Sequence, residues 1–170
     1  MLGAHLPTIA DVPVVDFAEA QDLLSSRYDE APDPEDLTPS QERALCRWAK
    51  EEHGSEWLYV TGYPTAHRPF YTMPDPARPE RSRSFDLLCR GSELVTGGQR
   101  IHDYTQLLEA INRRGYREDG FTAYLEAFRY GMPPEGGFAI GSERLLARLI
   151  GAENVREVAL FPRDVNRLAP

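Results

Sequence analysis

The segment Asp86-Leu-Leu-Cys-Arg-Gly-Ser-Glu93-Leu-Val-Thr96-Gly-Gly-Gln-Arg100-Ile-His102 constrains this chain more than any other. It carries two carboxylates seven residues apart, a hydroxyl beside them, and an arginine seven residues further on. Read as a β-hairpin turning near Arg90-Gly91, it sets Asp86 and Glu93 on neighbouring strands facing one pocket. Strand alternation puts Ser92 and Glu93 on opposite faces, and Arg100 lies an odd number of residues from Glu93. Arg100 therefore joins Glu93 only if the chain kinks between them, and Gly97-Gly98 is where a kink costs least. A pocket so lined takes a divalent ion on one side and a substrate carboxylate on the other. That combination suits the activation of an acid by a nucleotide.

The length of 170 residues suits one domain with a buried core, and 41% hydrophobic content excludes a wholly disordered chain. No apolar run reaches the length of a membrane span, and Met1-Leu2-Gly3 lacks the basic start of a signal peptide. A cytoplasmic address without membrane contact is expected. Cys46 and Cys89 have no metal-type spacing and are too few for a disulfide scaffold, so reduced, buried thiols are expected. A formal charge of −8 argues against nucleic-acid binding through the overall field and leaves that role to a local basic patch.

Along the chain, Asp16-Phe-Ala-Glu19 reads as a helix start with Phe17, Ala20 and Leu24 on one face. After an acidic, proline-bearing loop at 29–36, Thr38-Pro39-Ser40-Gln41 supplies a cap, a first-turn proline and a capping-box glutamine. The helix that follows should turn Leu45, Trp48 and Ala49 inward and stop at Gly54. Trp57-Leu-Tyr-Val60 and Arg68-Pro-Phe-Tyr-Thr-Met73 are strand candidates, separated from the hairpin by a Pro- and Arg-rich loop at 74–83. Two amphipathic helices follow, one with Tyr104, Leu107, Leu108 and Ile111 on its stripe, the other with Phe121, Tyr124, Leu125 and Phe128. Gly136 to Gly141 reads as a strand feeding a helix from Ser142 to Ile150 that Gly151 ends, and Glu157 to Phe161 as a last strand. The expected class is α+β, an antiparallel sheet flanked by helices, in a single domain spanning 1–170.

Seven pieces occur in order: Arg68-Pro-Phe-Tyr-Thr-Met-Pro74, Ser84-Phe-Asp86, Thr96-Gly-Gly-Gln-Arg-Ile-His102, Tyr124-Leu-Glu-Ala-Phe128, Tyr130-Gly-Met-Pro-Pro134, Gly141-Ser-Glu-Arg-Leu145 and Leu160-Phe-Pro-Arg-Asp164. Together they resemble a class II aminoacyl-tRNA synthetase, most nearly an aspartyl-tRNA synthetase of the archaeal type, from about Val12 onward. The resemblance implies a sheet-based site that joins aspartate to ATP and passes the aspartyl group to tRNA. It implies that Glu93 and Thr96 coordinate Mg2+ at the ATP phosphates, with Asp86 a second acid supporting the ion. It implies that Thr96 and Arg100 form the aspartate site, Arg100 gripping the side-chain carboxylate with its planar guanidinium. Gly141, Ser142, Glu143 and Arg144 match the third class motif, in which Arg144 lies against the γ-phosphate and the helix start adds amide donors. Glu93, Arg100 and Arg144 are thus the expected catalytic set, working by position and charge neutralisation.

Relatives of this kind also carry an anticodon-binding barrel and two earlier class motifs, which have no counterpart between Met1 and Pro170. One of those motifs supplies a phosphate-binding arginine, so the chain is expected to act weakly or not at all alone. It is read as a truncated or split form, and association with an N-terminal half or a homodimer is expected. Two other readings stay open at this stage: a non-catalytic paralogue that binds ATP or an amino acid, and an asparagine-forming amidoligase on the same fold. His102 is expected as a hydrogen-bonded core residue, and His67 either touches substrate or nucleotide or has a loop-surface role, with equal weight. Arg78, Arg81 and Arg83 are expected on a solvated loop, and Phe121 to Phe128 in core packing.

Overall fold

The computed structural model describes residue 7 and residues 11–166, so Met1–Gly3, read above for a leader pattern, lies outside the described residues. Local signals act where their chemistry requires. Asp16 closes a short strand β1 (Val14–Asp16) and caps helix α1 (Phe17–Arg27), with Glu19 completing a capping box. Thr38 and Gln41 form the same reciprocal pair at the start of α2 (Pro39–His53), and Gly54 ends it at φ 64°. Leu45 and Ala49 are buried as expected, and Trp48 is partly so.

Strand β2 (Trp57–Thr61) pairs with β1 and with β3 (Ser84–Cys89); β4 (Ser92–Arg100) and β5 (Glu135–Ile140) continue the sheet. The order is β1-β2-β3-β4-β5. All neighbours are antiparallel except β1 and β2, which run parallel because α1 and α2 cross between them. The sheet is therefore mixed, where a purely antiparallel one was expected. Arg90 and Gly91 turn the β3–β4 hairpin with φ 47° and 82°, the backbone signs of a type I′ turn. Helices α3 (Tyr104–Arg113), α4 (Thr122–Arg129) and α5 (Ser142–Ile150) fall where the apolar spacing places them.

Two expected strands are absent. Residues 68–73 run beside the end of β4, with Met73 N–H bonding Gln99 and Ile101 N–H bonding Tyr71, but form only single bridges. Pro69 and Pro74 remove donors at both ends of that segment. At 155–158 a 3₁₀ turn replaces the last strand: Asn154 accepts from Arg156 N–H and Glu157 returns the capping bond. That local cap holds the backbone helical where strand pairing would need it extended, leaving Leu160 and Phe161 exposed.

Two cores result. Phe17, Leu24, Leu45, Ala49, Leu58, Val60 and Leu88 close α1 and α2 onto one face of the sheet. Met73, Ile101, Leu107, Ile111, Leu125 and Phe128 close α3 and α4 beside the end of β4. The other face of the sheet leaves Val14, Phe138 and Ile140 exposed, and β1 and β5 are its edges. Among the described residues no helix is long and apolar enough to cross a membrane.

Candidate functional site

The kink that brings Glu93 and Arg100 together is real, but it sits elsewhere than Gly97-Gly98. Leu87 pairs with Val95 and Leu88 with Glu93, so Leu94 is an extra residue, a β-bulge. That insertion flips the parity of β4. Glu93 then shares a face with Leu88, and beyond the bulge Thr96 faces Asp86 and Gly98 faces Ser84 on the same side. The glycine pair has a different job: a Cβ at Gly98 would lie 2.7 Å from the Arg83 carbonyl, and one at Gly97 would lie 2.7 Å from Phe138 Cβ. These residues are small because the neighbouring strands approach closely.

Glu42, reaching up from α2, accepts a 3.0 Å hydrogen bond from Glu93 N–H, beside the bulge. Arg144, at the start of α5, donates to the Glu93 carbonyl at 3.1 Å and stands 3.7 Å from its carboxylate. Burial, then the nearby Asp86 charge, holds the Glu93 carboxyl above the usual range against the opposing pull of Arg144. Glu42 is raised as well, chiefly by burial, with the Glu93 N–H acting against it. Two carboxylates costly to ionise thus sit beside an arginine at a helix start, an arrangement that favours an incoming cation.

Asp86 occupies the buried end. Both of its oxygens accept from Arg68, at 3.2 Å from one terminal nitrogen and 2.6 Å from the other. The side chains are 4% and 12% exposed, and the Arg68 guanidinium lies 3.6 Å over the Tyr63 ring. The same Arg68 reaches the Thr96 hydroxyl at 3.4 Å. Burial alone would lower the Arg68 pKa, and the bond and charge of Asp86 outweigh it, so the net shift is upward.

Arg100 lies 4.6 Å over the Tyr71 ring, and its guanidinium passes over Gly137, where a Cβ would come within 3.1 Å of it. Arg68, Tyr71, Thr96, Gly98 and Arg100 line a cavity of about 110 Å³, room for roughly four waters or one small molecule. Glu93 and Arg144 adjoin this group without lining the cavity. A wider groove of about 820 Å³, between Asp11 and His53, brings none of these residues together and lies off the site.

The expected residues therefore form a connected set: Asp86 beside Thr96, Thr96 beside Arg100 across the cavity, Glu93 beside Arg144. Ser142 donates to Glu143 at 2.8 Å at the exposed start of α5, and Gly141 is its cap residue. Arg78 and Arg81, expected as solvated, reach Asp16 at 4.0 and 3.1 Å, and Arg83 bonds Gln99. His102 Nδ1 is buried without a hydrogen-bond partner, unlike the bonded core residue expected. His67 ends a short 3₁₀ turn (Thr65–His67) and faces Glu35 at 3.6 Å. Both cysteines are buried, Cys46 pushed up to about 11 and Cys89 to about 12 by burial. Sequence reading missed Glu42, Arg68 and Tyr71. Arg68 and Tyr71 stood inside a quoted motif, but Glu42 carried no local signal.

Among the described residues no group of three or more His, Cys, Asp or Glu forms a metal cage. Glu93 and Thr96 are hard-oxygen groups of the kind that could hold an ion which keeps some of its waters.

Residues 7–165 match the family model for tRNA synthetases of class II (D, K and N). The aspartate–tRNA(Asp/Asn) ligase of Thermus thermophilus is 49% identical over 171 residues, which cover 100% of this chain and 40% of that protein. The aspartate–tRNA(Asp) ligase of Pyrococcus furiosus is 44% identical over 158 residues, 93% of this chain and 36% of that protein. Aspartyl-tRNA synthetase from Entamoeba histolytica superimposes with a TM-score of 0.91 at 35% identity, covering 98% of this chain and 34% of that one. Asparaginyl-tRNA synthetase from Pyrococcus horikoshii does so with a TM-score of 0.84 at 35% identity, covering 94% and 37%. This chain spans 40% of the length of the first two curated relatives it matches.

Proposed function

Because this chain belongs to the class II tRNA synthetase family of the D, K and N enzymes, we propose that it is part of the catalytic domain of an aspartate–tRNA ligase. The observation that carries the reading is one face of the sheet on which Glu93 and Arg144 adjoin a cavity walled by Thr96, Arg68 and Arg100.

In this reading Arg100 binds the side-chain carboxylate of aspartate. The Tyr71 ring beneath it and the bare Gly137 beside it fix the guanidinium plane. A charge-assisted bond of this type is worth roughly 1.5–3 kcal/mol, about a ten- to hundredfold preference over a neutral side chain. Arg144, carried by the first turn of α5, meets the ATP phosphates, and Gly141 to Glu143 bring the helix N-terminus to them. Glu93 and Thr96 would hold Mg2+ and Asp86 supports them; the ion would neutralise phosphate charge. The aspartate α-carboxylate oxygen then attacks the α-phosphorus, the bond to pyrophosphate breaks, and the aspartyl group passes from the adenylate to a tRNA hydroxyl. No covalent group of the protein is required; the side chains orient the reactants and balance their charge.

The substrates of the whole enzyme, its cytoplasmic location, and pairing with an N-terminal part or a second copy belong to this proposal. The test is aspartate-dependent exchange of pyrophosphate into ATP, by this chain alone and with the rest of a relative's sequence added as a second polypeptide. Exchange should be weak alone and restored by the addition. In the restored assembly Arg100→Leu should abolish aspartate use and Glu93→Gln should raise the Mg2+ and ATP requirement. Unchanged kinetics in both variants would refute the site.

A further inference from the structure

We propose that Asp86 is a positioning residue for Arg68 and leaves Glu93 as the carboxylate that meets the ion. The proposal deepens the ion site above and rests on it. A carboxylate that ligates a divalent ion needs a lone pair aimed at an open position. Asp86 is poorly placed for that: it is 2% exposed, and each oxygen already accepts a charge-assisted bond from Arg68. The cation that answers its charge is built into the chain. Arg68 cannot leave cheaply, because the Tyr63 ring lies 3.6 Å beneath it and its side chain is almost wholly enclosed.

Held there, the guanidinium also donates to the Thr96 hydroxyl. That bond uses one Thr96 lone pair and leaves the hydroxyl its second lone pair and its proton for other partners. Three of the five Arg68 N–H groups serve Asp86 and Thr96, and the residue lines the cavity together with Arg100. Asp86 therefore fixes the position of Arg68 and is neutralised by it, while the partly exposed Glu93 keeps a carboxylate whose partner, Arg144, stands at 3.7 Å.

The experiment measures Mn2+ affinity by electron paramagnetic resonance, with and without ATP, in the parent chain, Asp86→Asn and Glu93→Gln. Carboxyl carbon-13 shifts on adding Mg2+ and guanidinium N–H signals of Arg68 are read in the unmutated chain, so a variant that folds poorly does not decide the matter. Expected are a loss of tenfold or more in Glu93→Gln, a change under about threefold in Asp86→Asn, and a Glu93 carboxyl resonance that moves while that of Asp86 stays. Arg68 should show slow, protected N–H signals that Asp86→Asn releases. Equal losses in both variants, with an Asp86 resonance that follows Mg2+, would overturn the proposal. A chain in which Glu93 is itself silent to both ions would overturn the ion site; the Arg68 signals then decide its fixation separately, and freely rotating N–H groups in the parent would refute that.

Discussion

Replacing Arg68 by methionine should be among the most damaging single changes in this chain, and its size follows from the geometry. The substitution removes two charge-assisted bonds, at 3.2 and 2.6 Å, and a cation lying 3.6 Å over Tyr63. It leaves Asp86 4% exposed in its side chain and without its counter-ion, near Glu93, whose carboxyl is already raised by burial. Breaking a buried pair on one side costs about 3–5 kcal/mol, against about 0–1 kcal/mol for an exposed pair. At about 2–4 °C per kcal/mol for a domain of this size, Tm should fall by roughly 6–20 °C. The double variant Arg68→Met, Asp86→Val removes both charges and should recover to within about 1 kcal/mol of the parent, since apolar replacement of a buried pair is often neutral or better. Urea unfolding followed by circular dichroism reads all four corners of the cycle, with unchanged m-values as the check on two-state behaviour. A loss below about 1 kcal/mol in Arg68→Met, or a double variant no better than the sum of the singles, would show that the pair is not enclosed as described.

Glu93→Gln should raise Tm at pH 7.5 in the absence of divalent ions. Its folded carboxyl lies above the usual range, so its contribution is full below the unfolded pKa of about 4.3 and is lost as pH rises through the folded value. The gain should vanish below about pH 4, and an equal or lower Tm at pH 7.5 would contradict the cost assigned to this carboxylate. Gly98→Ala drives a Cβ to 2.7 Å from the Arg83 carbonyl and 2.8 Å from Ser84 Cα, and should cost about 1–3 kcal/mol; Gly120→Ala, with nothing within 4 Å, should stay within about 0.5 kcal/mol by the same unfolding assay. Cys46 and Cys89, at about 11 and 12, should react with a disulfide reagent at pH 8 only as fast as the chain opens, and rapid labelling of either in the native state would contradict their burial.

How much was legible depends on how far each signal reaches. The caps at Asp16 and Thr38, the stop at Gly54 and the turn at Arg90-Gly91 are settled by bonds and dihedrals within about four residues, and all stood plainly in the sequence. The seven-piece resemblance identified the family because ordered spacing over most of the chain is itself a sequence property. The same short reach misled at 157–161. An apolar run suggested a strand, while Asn154 and Glu157 had already closed a helical turn. The site was half visible. Glu93 does pair with Arg144, and Thr96 and Arg100 do line one cavity, but the device that gathers Glu93, Thr96 and Arg100 on one face was placed at the glycines rather than at Leu94.

What the sequence determined by itself was the inventory: where helices begin and end, where the hairpin turns, and the ordered motifs that mark the family. Tertiary structure decided their roles. The bulge at Leu94 lies beside a bond from Glu93 N–H to Glu42, 51 residues upstream, and Asp86 became the partner of an arginine 18 residues away. Such pairings have no local pattern, because the attraction between two charges becomes decisive only once folding has taken both out of water.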